Sequence, residues 1–241
     1  MDSPPQFTAL VLDLFGTLVP APSTRERALA VHEMASAMKV PENLVTVAVK
    51  ESWLPRHDGT LRTTGEVAAR LTATCGAPRG RAPHVEAVLR KLAPGRLQAD
   101  ATVLQCLAKL RRSGLKLCLL SDAAPDIAEA WSRSALSSHF DVALFSCREQ
   151  AVKPSRQLYA KALERLDRDP RSVLYCGDGG GAELAGAARC GLRAVRVERR
   201  GGPTALAFGA EPSAWRGVTL KSVEELPTWL AGLPVGAGSS R

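Results

Sequence analysis

The stretch from Phe7 to Pro20, FTALVLDLFGTLVP, constrains the fold more than any other part of the chain. Its short run of Ala, Leu and Val lacks polar alternation, the pattern of a strand buried on both faces of a parallel sheet. The run stops on Asp13 and then turns through Phe15, Gly16 and Thr17. In open α/β sheets ligands bind beyond the carboxyl ends of the strands, and a glycine there allows close backbone approach. Asp13 is therefore either a reacting carboxylate or an aspartate that caps a turn at a strand end.

After Pro20 the periodicity changes. Ser23 and Glu26 have capping-box spacing, and Ala28, Val31, Ala35 and Met38 recur every three to four residues, which predicts an amphipathic helix. Pro41 opens a second helical stretch through Leu44, Val47 and Val49 to Trp53 and Leu54, with further helices at 66–74 and 83–92. No buried strand is expected between Pro22 and Pro94, so residues 21–94 read as a helical insertion. Within it, Trp53, Arg56, His57 and Arg62 lie in a polar stretch between helices and either face the crevice or, the plainer reading, are solvated surface.

From Asp100 helix and strand alternate. A helix capped by Asp100 leads to the strand LKLCLLS ending on Ser121, and Pro125 starts the next helix. DVALFS ends on Ser146, a helix follows Pro154, SVLYCGD ends on Asp178, and a helix from Glu183 leads to RAVRV. Such βαβ succession predicts a doubly wound parallel sheet built from residues 1–20 and 95–231, with 232–241 a flexible tail. Several strands thus end on a polar residue, Asp13, Ser121, Ser146 or Asp178, and a parallel sheet gathers those ends on one edge. Lys153 follows the third strand and adds a positive charge there.

Composition narrows the function classes. At 241 residues, 45% hydrophobic and 23% charged, the chain has the make-up of a globular protein with room for a main domain and an inserted one. The net charge of +8 favours anionic small molecules, but the arginines are scattered, aromatics are only 5%, and no RNP-like or zinc-knuckle pattern occurs. No nucleic-acid partner is expected. The six cysteines form no CxxC pair and lie in apolar runs, as buried free thiols of a reducing compartment would. No leader-like stretch precedes Asp13 and no run of 18 apolar residues occurs, so a cytoplasmic location away from membranes is expected.

Taken together, Asp13-Leu-Phe-Gly-Thr-Leu18, Ser121-Asp122, Lys153-Pro154 and Gly177-Asp178-Gly-Gly-Gly-Ala-Glu183, in that order and at those strand ends, resemble the four motifs of the haloacid dehalogenase-like hydrolase superfamily. The similarity spans nearly the whole chain, and the insertion falls where that family carries a small helical cap. The resemblance implies a Rossmann-like core and a Mg²⁺-dependent phosphatase acting on a small phosphorylated metabolite. Asp13 would be the nucleophile. Mg²⁺ would be held by Asp13, the main-chain carbonyl of Phe15 and Asp178. Lys153 would supply a second cation, needed because two unit charges at about 4 Å repel by about 4 kcal/mol at an effective dielectric of 20. Ser121, Asp122 and the backbone N–H groups of Gly16 and Thr17 would form the substrate-binding set, and Glu183 would accept a metal-bound water or orient Lys153. Each has a plainer reading: Ser121 and Asp122 as caps of the next helix, Lys153 as a surface lysine, the glycines after Asp178 as a turn, and Glu183 as a helix N-terminal charge.

Two positions depart from the pattern. Phe15 stands where the family's phosphatases carry a second aspartate, the general acid and base, whose contribution is typically ~10²- to 10⁴-fold. Dehalogenase members place an aromatic residue there, so a metal-independent 2-haloacid dehalogenase is the alternative. Asp122 stands where Asn is common. Together the two departures also suit a catalytically weak binding or regulatory protein on the same fold.

Overall fold

The computed structural model describes residues 7–198 and 215–233. In chain order its elements are β1 (Ala9–Leu12), α1 (Thr24–Met38), α2 (Glu42–Glu51), α3 (Trp53–His57), α4 (Thr64–Thr74), α5 (Ala82–Leu92), α6 (Ala101–Arg112), β2 (Lys116–Ser121), α7 (Pro125–Ala130), β3 (Val142–Phe145), α8 (Ser146–Glu149), α9 (Arg156–Leu166), β4 (Val173–Gly177), α10 (Glu183–Arg189), β5 (Arg193–Val197), β6 (Thr219–Leu220) and α11 (Leu226–Ala231). The strands form one sheet in the order β3-β2-β1-β4-β5-β6, every neighbouring pair parallel. This is the doubly wound α/β architecture that the alternating pattern predicts.

Residue alternation in the strands builds two cores. Leu10 and Leu12 of β1 join Leu117, Leu119, Leu174 and Cys176 on the face covered by α6 and α7. Ala9 and Val11 join Cys118, Leu120, Val173 and Tyr175 on the face covered by α9 and α10. Burial on both faces explains why these strands read as continuous apolar runs. The chain winds outward from β1 through β2 to β3 and then returns to β4 on the other side of β1, so the order reverses at β1. The strand ends flanking such a reversal leave a crevice, and Asp13 and Asp178 follow two adjacent strands there.

Helices α1, α2, α4 and α5 surround a third apolar cluster, which includes Met34, Met38, Val45, Val67, Leu71 and Val85. Ser23 caps α1 with the reciprocal Glu26 bond of a capping box, as its spacing predicts. The inward faces follow the expected repeat in part: Ala35 and Met38 of α1 are buried as their spacing predicts. In α2, Val45 and Ala48 are buried, while Leu44 and Val47 are 43% and 51% exposed. In α1, Ala28 is exposed and Met34 is buried. The expected helix from Pro41 to Leu54 breaks at Ser52, and α3 begins anew at Trp53. β3 stops at Phe145, and Ser146 opens α8 instead of ending the strand. Trp53, Arg56 and His57 are half-buried rather than solvated, whereas Arg62 is exposed as expected.

Five of the six cysteines are buried and Cys190 is half-buried, all as free thiols. No helix among the described residues is long and apolar enough to cross a membrane. Of the expected tail, residues 234–241 lie outside the described residues.

Candidate active site

Four charged side chains meet beyond the carboxyl ends of β1 and β4, and all four are buried: Asp13, Lys153, Asp178 and Glu183. The Lys153 Nζ lies 2.6 Å from Asp13 Oδ1 and 2.5 Å from Glu183 Oε2. The Tyr175 hydroxyl, on β4, donates to the same Glu183 oxygen at 2.6 Å, and the Gly179 N–H donates to Glu183 Oε1 at 3.0 Å. Thr17 Oγ1 donates to Asp13 Oδ2 at 3.0 Å. Glu183 is thus fully engaged in holding the ammonium against Asp13. Of the two roles expected for it, its contacts match the orienting one.

Glycines set the close approaches. Gly16 has φ +84°, a conformation glycine adopts without penalty, and a Cβ on it would overlap Oδ2 of Asp178. A Cβ on Gly177 would overlap Oε1 of Glu183. Asp178 is fixed further by the Gly180 N–H, 2.8 Å from its Oδ1, and by Arg196 Nε, which donates to its main-chain oxygen at 3.2 Å.

Three carboxylates face one ammonium in this cluster. Burial drives the Asp13 carboxyl up to about 8 against the pull of Lys153, with Glu183 and Asp178 pushing the same way. For Lys153, burial opposes the charge, but Asp13, Glu183 and Asp122 outweigh it and raise the ammonium well above the ordinary lysine value. The protein's own groups leave a negative surplus here, a state that a bound cation relieves. Single oxygens of Asp13, Asp178 and Glu183 all lie within 4.8 Å of one another. Both oxygens of Asp13 and both of Glu183 accept hydrogen bonds from the chain itself, so an ion held here would share these carboxylates with Lys153, Thr17, Tyr175 and Gly179. The cradle that seats the Asp178 carboxylate exists only because residue 16 has no side chain.

Other expected residues are placed differently. Asp122 turns its carboxylate onto the Lys153 N–H, at 3.0 and 3.2 Å, and so braces the lysine loop instead of lining the substrate position. Burial, opposed by Lys153, still raises its pKa to about 6. The backbone donors expected at Gly16 and Thr17 are spent within the turn, on Val19 O at 2.8 Å and Leu14 O at 3.4 Å. A tight turn satisfies its own amides first. Ser121, by contrast, is buried at the end of β2, and its Oγ has no hydrogen-bond partner among the described residues. Phe15 is half-buried, with the Arg96 guanidinium carbon 5.0 Å from its ring centroid.

Sequence reasoning missed several supports. Tyr175 reads as an apolar strand residue, yet it fixes Glu183. Ser146, expected only as a polar strand end, accepts the Ala123 N–H at 3.1 Å and so holds the loop that follows Ser121. Glu129 on α7 accepts the Thr64 N–H at 3.0 Å and pairs with Arg90 at 3.2 Å, tying α4 and α5 to the sheet side. Tyr159, on α9, donates to the Glu183 main-chain oxygen at 2.9 Å.

Comparison with known proteins agrees with this geometry. A phosphoserine phosphatase of Thermus thermophilus is 33% identical over 125 residues, 52% of this chain and 49% of the relative. The bifunctional epoxide hydrolase 2 of Rattus norvegicus is 25% identical over 61% of this chain and 27% of its own length. The chain therefore spans half or less of these relatives. Among solved structures, the HAD phosphatase of Thermococcus onnurineus superposes with a TM-score of 0.66 at 19% identity, covering 94% of this chain and 99% of that one. The L-2-haloacid dehalogenase of Xanthobacter autotrophicus superposes with a TM-score of 0.62 at 21% identity over the same shares. Both establish the fold. The profile of the haloacid dehalogenase-like hydrolases matches residues 7–191, and the chain belongs to that family.

Proposed function

We propose that this hydrolase is a Mg²⁺-dependent phosphatase of small phosphorylated metabolites, with residues 21–94 as a cap over a core of 1–20 and 95–231. The observation that carries this reading is the buried cluster in which Lys153 bridges Asp13 and Glu183 while Asp178 abuts Gly16. Asp13 and Asp178, with the Phe15 carbonyl, would hold Mg²⁺, which supplies charge neutralisation for an incoming phosphoryl group.

The chain's own residues divide the remaining work. Thr17 and Lys153 aim the two Asp13 oxygens, one of which attacks phosphorus while the bond to the alcohol oxygen breaks. Phe15 has no proton to give, so the leaving oxygen takes one from water. Substrates with good leaving groups, such as aryl or acyl phosphates, are then favoured. Ser121 Oγ, buried without a partner among the described residues, is a donor for a phosphoryl oxygen. Water then cleaves the aspartyl-phosphate, releasing inorganic phosphate and restoring the Asp13 carboxylate.

The haloacid dehalogenase reading has Phe15 in its favour. Against it stands the acidic surplus of Asp178 and Glu183 beside Asp13, which repels a carboxylate substrate unless a cation sits among them. Phosphate release from p-nitrophenyl phosphate, measured with Mg²⁺, with EDTA and for Asp13→Asn, tests the proposal. It should require Mg²⁺ and Asp13, and equal rates in all three would overturn it. Chloride release from 2-chloropropionate, unaffected by EDTA, would establish the dehalogenase instead.

A further inference from the structure

Beside Phe15 lies a second charged group that phosphoryl chemistry does not use. Arg96 sits in the turn that returns the chain from α5 to the sheet, and its guanidinium stands over the Phe15 ring. Its Nε is buried and donates to no described residue. Arg56, on α3, spends Nε on Ser52 and Nη2 on the Val49 carbonyl at 2.9 Å, which fixes its head group.

The two guanidiniums feel one another. Burial, opposed by Asp126, lowers Arg56 to about 10, with Arg96 lowering it further, and burial likewise lowers Arg96. His57, between them electrostatically, is pushed down to about 3 by burial and by both arginines, so it stays neutral and adds no charge at pH 7. Asp126 is the carboxylate that offsets both arginines, but it also accepts backbone hydrogen bonds at the start of α7. Neither arginine forms an ion pair within 4 Å among the described residues. Glu26 also offsets Arg96 and Arg27 opposes it, so three cations here meet two carboxylates; a positive surplus remains, and a buried donor left unmade is costly. An incoming anion relieves both.

We propose that Arg96 and Arg56 form an anion subsite beside Phe15, which takes a carboxylate carried on the alcohol portion of a phosphomonoester. The inference rests on the phosphatase reading and adds the substrate class: phosphorylated hydroxy acids. By the family resemblance, position 15 is where phosphatases carry the acid and base that serves the leaving oxygen, so a group over its ring is placed beside the bond that breaks. The planar guanidinium suits a carboxylate, which it grips with two parallel N–H donors.

The test is binding, so that it stands apart from turnover. Calorimetry with the full chain and Mg²⁺ compares 3-phosphonopropionate with propylphosphonate, which differ by the carboxylate. A charge-assisted contact predicts a preference of about ten- to a hundredfold for 3-phosphonopropionate. Arg96→Met should erase that preference, with propylphosphonate affinity on the same protein serving as the check that the variant is folded; Arg96→Gln gives a second reading if Arg96→Met is not. Equal affinities in the unmodified protein, or a preference that survives substitution of both Arg96 and Arg56, would overturn the inference, since the carboxylate would then be bound elsewhere. 2-Chloropropionate binding as tightly as 3-phosphonopropionate would overturn it too, in favour of a haloacid substrate. A preference that Arg96→Met erases, in a protein that releases no phosphate from p-nitrophenyl phosphate, would uphold the subsite and refute the phosphatase reading.

Discussion

Replacing Lys153 by Met removes the ammonium while roughly keeping the stem, and it tests whether the buried cluster is an electrostatic unit. The ammonium lies 2.6 Å from Asp13 and 2.5 Å from Glu183. At such separations the attraction between ionised groups is about 6 kcal/mol at an effective dielectric of 20, most of it offset by the cost of burying the charges, and for Asp13, raised to about 8, it acts in the ionised form. What the variant reports is the difference. Stranding buried carboxylates without their partner costs about 3–5 kcal/mol, or a fall in melting temperature of about 6–20 °C for a chain of this size. The informative step is the double variant. In the Lys153→Met background Glu183 is an uncompensated charge, so Glu183→Gln should raise the melting temperature there, although alone it lowers it by breaking the contact with Lys153. Thermal unfolding in EDTA followed by circular dichroism measures all four proteins. Additive losses in the double variant, or a Lys153→Met protein as stable as its parent, would refute the reasoning.

Gly16→Ala combines a positive φ with overlap on Asp178, so it should cost more than about 1 kcal/mol and abolish Mg²⁺-dependent phosphate release; an active, equally stable variant would contradict the cradle. Asp122→Ala frees the Lys153 N–H and should reduce kcat well below that of Asp122→Asn, which keeps an acceptor; identical kcat values would contradict the bracing role. The Asp13 carboxyl is raised from 3.8 to about 8, so between those values the folded protein holds a proton that the unfolded chain has released, and its contribution to stability falls as pH rises. In EDTA the melting temperature should therefore drop more steeply from pH 5 to pH 8 than it does for Asp13→Asn, and parallel curves would contradict this.

Much of the fold is legible because parallel strands buried on both faces must be apolar throughout and must end where a polar residue can reach solvent or ligand. Asp13, Ser121 and Asp178 announce the strand ends in this way. What the sequence conceals is direction. Asp122 reads as a substrate contact until the chain passing 31 residues later offers it an N–H. Tyr175 is indistinguishable from core packing until its hydroxyl meets Glu183. Arg96 lies in a turn with no periodicity to place it. In α2, Leu44 and Val47 repeat with helical spacing as convincingly as Val45 and Ala48, and only the neighbours α1 and α4 choose between the two stripes.

The apolar cluster enclosed by α1, α2, α4 and α5 shares no residue with the two that flank the sheet. Mutations that repack it are felt locally, while the strand-end carboxylates keep their register. On the proposed reading of residues 21–94 as a cap, selection can rework those helices for a new ligand without renegotiating the chemistry, and a laboratory graft of that segment from a relative is the corresponding engineering route.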